Sequence, residues 1–143
     1  MAYCTLTEIK DRIPEENLIQ LTDDDNRGIV DQGKVDAAIL DADEVIDGYL
    51  RGRYTLPLSP VPALLNKISI DIAVFNLYSR KLEFEMAEVI KDRHKNALKL
   101  LTQIQSGTVT LGTASGETPE PGQYKTNKTS DDKTFDKDTL DKY

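Results

Sequence analysis

Up to Gly107 the apolar residues recur at three- and four-residue intervals, the period of an amphipathic helix, and beyond Gly112 they nearly vanish. Thr5 followed by Glu8 is a capping-box pattern, and Ile9 and Ile13 stand four apart. Pro14 both stops this first helix and suits the opening turn of a second, which carries Leu18 and Leu21. Residues 22–33 are polar and turn-rich, with Asp and Gly tolerating tight backbone conformations. A long helix follows, capped by Asp31. Val35, Ala38, Ile39, Ala42, Val45, Ile46, Tyr49 and Leu50 form its inward stripe, and Asp36, Asp43, Asp47 and Arg51 lie on the other side. Asp47 and Arg51 form a correctly ordered i,i+4 pair there.

The chain leaves that helix through residues 54–62, where Pro57, Pro60 and Pro62 remove backbone donors and hold the path extended. Residues 63–80 carry Leu64, Leu65, Ile68, Ile70, Ile72, Ala73, Val74, Phe75, Leu77 and Tyr78, distributed nearly all round a helix. A helix apolar on every side belongs at a core or an interface, so part of this surface is expected to meet another subunit. A last helix is predicted over residues 84–106, with Val89, Ile90, Ala97, Leu98, Leu101 and Ile104 inward and Gly107 as its stop. Glu83, Glu85 and Glu88 near its start and Lys91, Lys95 and Lys99 further along agree with the helix dipole. Residues 108–111 read as a short extended segment.

These elements define an all-α fold. It is a compact bundle of four to five helices over residues 1–111, with a proline-rich crossover loop and a short extended segment after the last helix. Residues 112–143 contain one Leu, one Phe and no Ile or Val. Such a segment cannot bury enough surface to offset the entropy of ordering, and it reads as a flexible polar tail.

The net charge of −7 over 143 residues disfavours a protein that grips a nucleic acid backbone. No apolar run of about 18 residues and no basic-then-apolar start occur, which predicts neither a membrane span nor a signal peptide, and a cytoplasmic site of synthesis. Cys4 is the sole cysteine, which excludes an internal disulfide and points to a small buried residue. His94 is the sole histidine, and amid Lys91, Arg93 and Lys95 it reads as a surface residue.

Candidate chemistry is sparse. A calcium loop starting at Asp23 places Asp25, Gly28 and Asp31 well, but it puts Arg27 and Lys34 where oxygen ligands are required. A turn whose Asp31 caps the next helix is the better reading. Asp41, Asp43, Glu44 and Asp47 suggest paired carboxylates, yet the chain has no Trp to stack a sugar, and a solvated or subunit-facing helix face fits them better. Phosphate-loop, zinc-protease and nucleophile-elbow motifs are absent. No cofactor and no catalytic residue is expected.

The order of several short pieces along the chain carries more information. Tyr3, Cys4, Thr5 and Leu6 come first, followed by residues 18–24, which run from Leu18 and Ile19 to Asp23 and Asp24. Ile46, Asp47, Gly48, Tyr49 and Leu50 are next, with Arg53 and Tyr54 and then Leu56, Pro57 and Leu58. Pro62, Ala63, Leu64 and Leu65 precede Asp71, Ile72 and Ala73. Over residues 3–111 this order resembles the small neck proteins of Mu-like phages and prophages. The resemblance implies a helical head-tail connector, or adaptor, that is not an enzyme. It would assemble as a ring in the virion neck between the portal of the capsid and the tail-completion proteins, and genomic DNA would pass through the ring without specific binding.

Two interfaces are expected. The acidic face of Asp36, Asp43 and Asp47 would meet the basic stripe of Lys91, Lys95 and Lys99 on a neighbouring copy, since two different complementary faces close a ring. Arg53, Tyr54, Leu56, Pro57 and Leu58 would form a rigid docking loop that loses little entropy on binding. The alternative is a stand-alone helical protein-binding module that uses its acidic face and tail.

Overall fold

A computed structural model describes residues 2–83 and 85–112. It contains five helices, α1 (Leu6–Lys10), α2 (Glu15–Thr22), α3 (Gln32–Leu50), α4 (Ala63–Ser79) and α5 (Glu88–Ser106). The flexible tail expected for residues 112–143 lies, apart from Gly112, outside the described residues.

Local chemistry sets most of the helix ends. At α1 the Thr5 side chain accepts from the Glu8 amide while the Glu8 carboxylate accepts from the Thr5 amide, a complete capping box. Asp31 caps α3 by accepting from the Lys34 amide. Gly107 ends α5 at φ +86°, a left-handed conformation that costs a side-chain-bearing residue about 1–2 kcal/mol. The expected start of α5 at residue 84 is corrected to Glu88. Glu85 and Ala87 are exposed and Met86 only half-buried, so too little apolar contact is available there to extend the helix.

Helix α4 is the axis of the bundle and packs against α1, α2, α3 and α5. Its Leu65, Ile68, Ile72, Ala73 and Leu77 are essentially inaccessible, and each fully buried large aliphatic contributes about 1.5–3 kcal/mol. The apolar surface that α4 leaves for a sister copy is limited to its half-buried Leu64, Val74, Phe75 and Tyr78. The chain's own helices surround it, and none of its large apolar residues is exposed. Two predicted inward residues lie outside the core instead, Val45 on α3 and Val89 on α5. No helix among the described residues is long and apolar enough to cross a membrane.

Candidate interaction surfaces

The polar groups nearest the core form one cluster that fastens the N-terminal segment to α3 and α4. The Tyr3 amide donates to Asp43 Oδ1 at 3.1 Å, and the Tyr3 hydroxyl donates to Asp47. Asn66 Nδ2 donates to the Tyr3 carbonyl at 2.8 Å and to Glu8 Oε1 at 3.0 Å. The Ser69 hydroxyl lies 3.2 Å from Cys4 Sγ and 3.4 Å from Asp43 Oδ1. Burial raises the Asp43 carboxyl above the usual range, against the Tyr3 amide and Ser69 hydroxyl, which favour its anion. Burial likewise pushes the Cys4 thiol up to about 11, and burial followed by the Asp47 hydrogen bond raises the Tyr3 phenol. At neutral pH Cys4 is therefore a neutral thiol inside the protein, a poor nucleophile. His94 is half-buried rather than a surface residue, stacked on Phe75 of α4 with ring centroids 3.7 Å apart.

This cluster overturns two expectations. Asp43 is only 5% exposed and Asp47 is half-buried in contact with Tyr3, so neither belongs to an outward acidic face, while Asp36 does lie outside. Asp47 is held by the Tyr3 hydroxyl rather than by Arg51. The physical reason is that the N-terminal segment brings donors that reward burying these carboxylates, and α3 alone gives no sign of that segment.

The proline-rich loop is also turned inward. Arg53, Tyr54 and Leu58 are buried, Leu56 is half-buried and Pro57 alone of the five is exposed. The loop thus joins the core in place of forming an exposed docking tip. The Arg53 guanidinium lies so close to Gly107 that a Cβ there would stand 2.7 Å from it. The Tyr54 hydroxyl accepts from the Leu111 amide at 3.3 Å, tying residues 108–111 to the crossing.

In the acidic loop Asp23 and Asp24 are engaged with internal donors. Asp23 accepts from the amides of Arg27 at 2.9 Å and Gly28 at 2.6 Å, contacts that lower its pKa. Asp24 lies 2.9 Å from Lys81 and 2.8 Å from Arg80, which bring its carboxyl down to about 2. The loop therefore fastens α2 and α3 to the end of α4. No group of three or more His, Cys, Asp or Glu side chains among the described residues is placed to hold a metal ion.

Helices α3 and α5 each keep an exposed outer face. On α3 and its C-cap Arg51 the outward residues include Asp36, Ala37, Leu40, Asp41, Glu44, Val45 and Gly48, with Leu40 58% exposed. Beside them runs a cleft of about 460 Å³ between α3 and the N-terminal segment, lined by Leu6, Asp36, Ile39 and Leu40 among others. Leu40 falls off the inward stripe of α3, and that offset is the sequence signal for its exposure. On α5 the outward residues include Glu88, Asp92, Lys95 and Lys99, whereas Lys91 is half-buried and pairs with Glu88 at 3.2 Å.

Comparison with known proteins places these features in a lineage. The family model described as Bacteriophage Mu, Gp36 matches residues 3–128, further than the residue 111 at which the sequence likeness was expected to end. The chain is 30% identical over 122 residues to Gene product J of Escherichia phage Mu, covering 85% of this chain and 84% of that protein. It is 34% identical over 83 residues to the Mu-like prophage FluMu protein gp36 of Haemophilus influenzae, covering 58% of this chain and 56% of the relative's length. A match over most of the chain, with a relative aligned nearly end to end, shows that this protein belongs to the Bacteriophage Mu Gp36 family.

Proposed function

We propose that this protein is a non-catalytic head-tail connector, assembling as a ring in the virion neck between the portal and the tail-completion proteins. Family membership makes it a protein of Mu-like phages, and the sequence likeness to Mu-like neck proteins supports this reading. The observation that carries the structural role is where its chemistry is spent. Tyr3, Cys4, Asp43, Asp47, Asn66 and Ser69 engage one another in fastening the N-terminus, and α3 and α5 each present an exposed, charged outer face. A rigid bundle with chemically different outer faces suits head-to-tail assembly of identical copies. Its net charge of −7 favours passage of DNA over adhesion to it, because like charges repel.

The test is deletion of the gene from the phage with complementation in trans, read by microscopy and by protein analysis of purified particles. The reading predicts heads and tails that fail to join without the gene, and this polypeptide in complete particles. Normal tailed particles without the gene, or complete particles lacking the polypeptide, would overturn it. Capture of a cytoplasmic host or phage protein by a chain absent from particles would instead favour the stand-alone binding module.

A further inference from the structure

We propose that Leu40 of one copy of this chain seats in a cavity on the far side of a second copy, between α5 and the junction of α1 with α2. This inference rests on the connector reading and specifies the seam between its subunits. The cavity measures about 70 Å³ and its walls include Ile13, Ile70, Val74 and Ile90, with the exposed Arg12 and Arg93 at its rim. About 10–15 Å³ admits one water, so the end of an aliphatic side chain fits. Asp71 is the one acid among the lining residues, and it pairs with Lys67 at 3.5 Å. Arg12 and Arg93 form no ion pair among the described residues. Leu40 is the complementary knob, 58% exposed on α3. Asp36 and Glu44 stand one turn before and after it, and Asp41 lies beside it. These acids too form no ion pair among the described residues. An apolar knob ringed by acids thus complements an apolar socket flanked by arginines.

Knob and socket are placed as a ring requires. Ser69 and Asn76 of α4 reach Asp43 and Ala38 of α3, whereas Asp71, Val74 and Tyr78 line the socket. At about 3.6 residues per turn, the second set lies about half a turn round α4 from the first. Socket and α3 are therefore on opposite sides of the bundle. The same two contacts make α3 and α4 antiparallel and fix the level of Leu40. It falls between Ala38 and Asp43 in the chain, hence between Asn76 and Ser69 along α4, the stretch that carries Ile70, Asp71 and Val74. A contact between opposite faces at one level joins copies without turning either end over end, so the helices of neighbours keep nearly the same direction. Such a contact is heterologous, the kind that propagates from copy to copy and closes into a ring.

Substitution in the phage tests the seam. Arg12, Asp36, Leu40, Glu44 and Arg93 are all exposed, so variants there should retain the wild-type circular dichroism and melting temperature. Leu40→Ser removes the apolar anchor and is expected to lower incorporation into particles at least about tenfold. Leu40→Met conserves volume and should incorporate as wild type does. Asp36→Arg with Glu44→Arg reverses the charge around the knob, and Arg12→Glu with Arg93→Glu reverses the rim of the socket. Each pair should lower incorporation at least about tenfold, since like charges then meet across the seam. The four together should restore it. A second measurement reads proximity directly. In particles carrying Arg93→Lys, a zero-length carbodiimide should couple the new amine to Asp36, Asp41 or Glu44, detected as a cross-linked peptide by mass spectrometry. Those acids lie across the bundle from the socket, so the coupled residues must come from two copies. Wild-type incorporation of Leu40→Ser or of both double variants, no rescue by the fourfold variant, or no coupling between position 93 and the α3 acids would overturn the seam while leaving the connector reading intact. Absence of the wild-type chain from particles would overturn both.

Discussion

Asp43 shows how one residue's role depends on who supplies its hydrogen bonds. An Asp43→Asn variant keeps an acceptor for the Tyr3 amide and the Ser69 hydroxyl and removes a charge that burial disfavours. Its melting temperature is expected to equal or exceed wild type at pH 7. Asp43→Ala leaves those donors unsatisfied and should lose about 1–3 kcal/mol. Calorimetry of the two variants checks this, and equal losses in both would mean that the charge itself is needed. Cys4 gives the pH dependence. Its folded pKa, pushed up to about 11, lies above the 9.0 of an unperturbed thiol, so the stability it contributes is fully present below pH 9 and lost as pH rises through about 11. Cys4→Ala should flatten that alkaline decline, and in the native protein at pH 8 a thiol reagent should label Cys4 at least about tenfold more slowly than a free cysteine. Gly107→Ala combines a left-handed backbone with a clash against Arg53 and should cost more than the 1–2 kcal/mol of the backbone term alone.

At the scale of elements, helix ends were legible because their chemistry is local. Thr5 with Glu8, Asp31 and Gly107 each act within a few residues of the end they set. The inward turn of Asp43 was not legible, since its partner Tyr3 is 40 residues away in the chain. The burial of Tyr54 and Leu58 was hidden for a similar reason. A proline-stiffened apolar loop reads the same whether it docks on a partner or on its own bundle, and only the position of Gly107 and Leu111 decides between them. Helix α4 was correctly read as apolar all round, but how many of the chain's own helices cover it is a question of tertiary packing. Ile68→Ala at its centre should cost about 2–5 kcal/mol in denaturant unfolding. Arg80, which donates to the Leu21 carbonyl and to Asp24, ties the end of α4 to α2. Arg80→Ala is expected to raise amide exchange across α2 while leaving the centre of α5 as protected as in wild type; uniform loss across both helices would contradict that local role.

At the scale of the whole molecule a closed interior meets an exterior with exposed helix faces. The polar groups clustered around Tyr3 and Asp43 are engaged with one another, so variation there should change stability and leave assembly unchanged wherever folding survives. The outer faces of α3 and α5 should behave in the opposite way, with unchanged melting and altered assembly. Cryo-electron microscopy of the neck in complete wild-type particles tests the central claim most directly. The expected result is a ring of five-helix bundles between portal and tail into which this fold docks. A resolved neck whose density is fully explained by other polypeptides, with no place for this bundle, would contradict it.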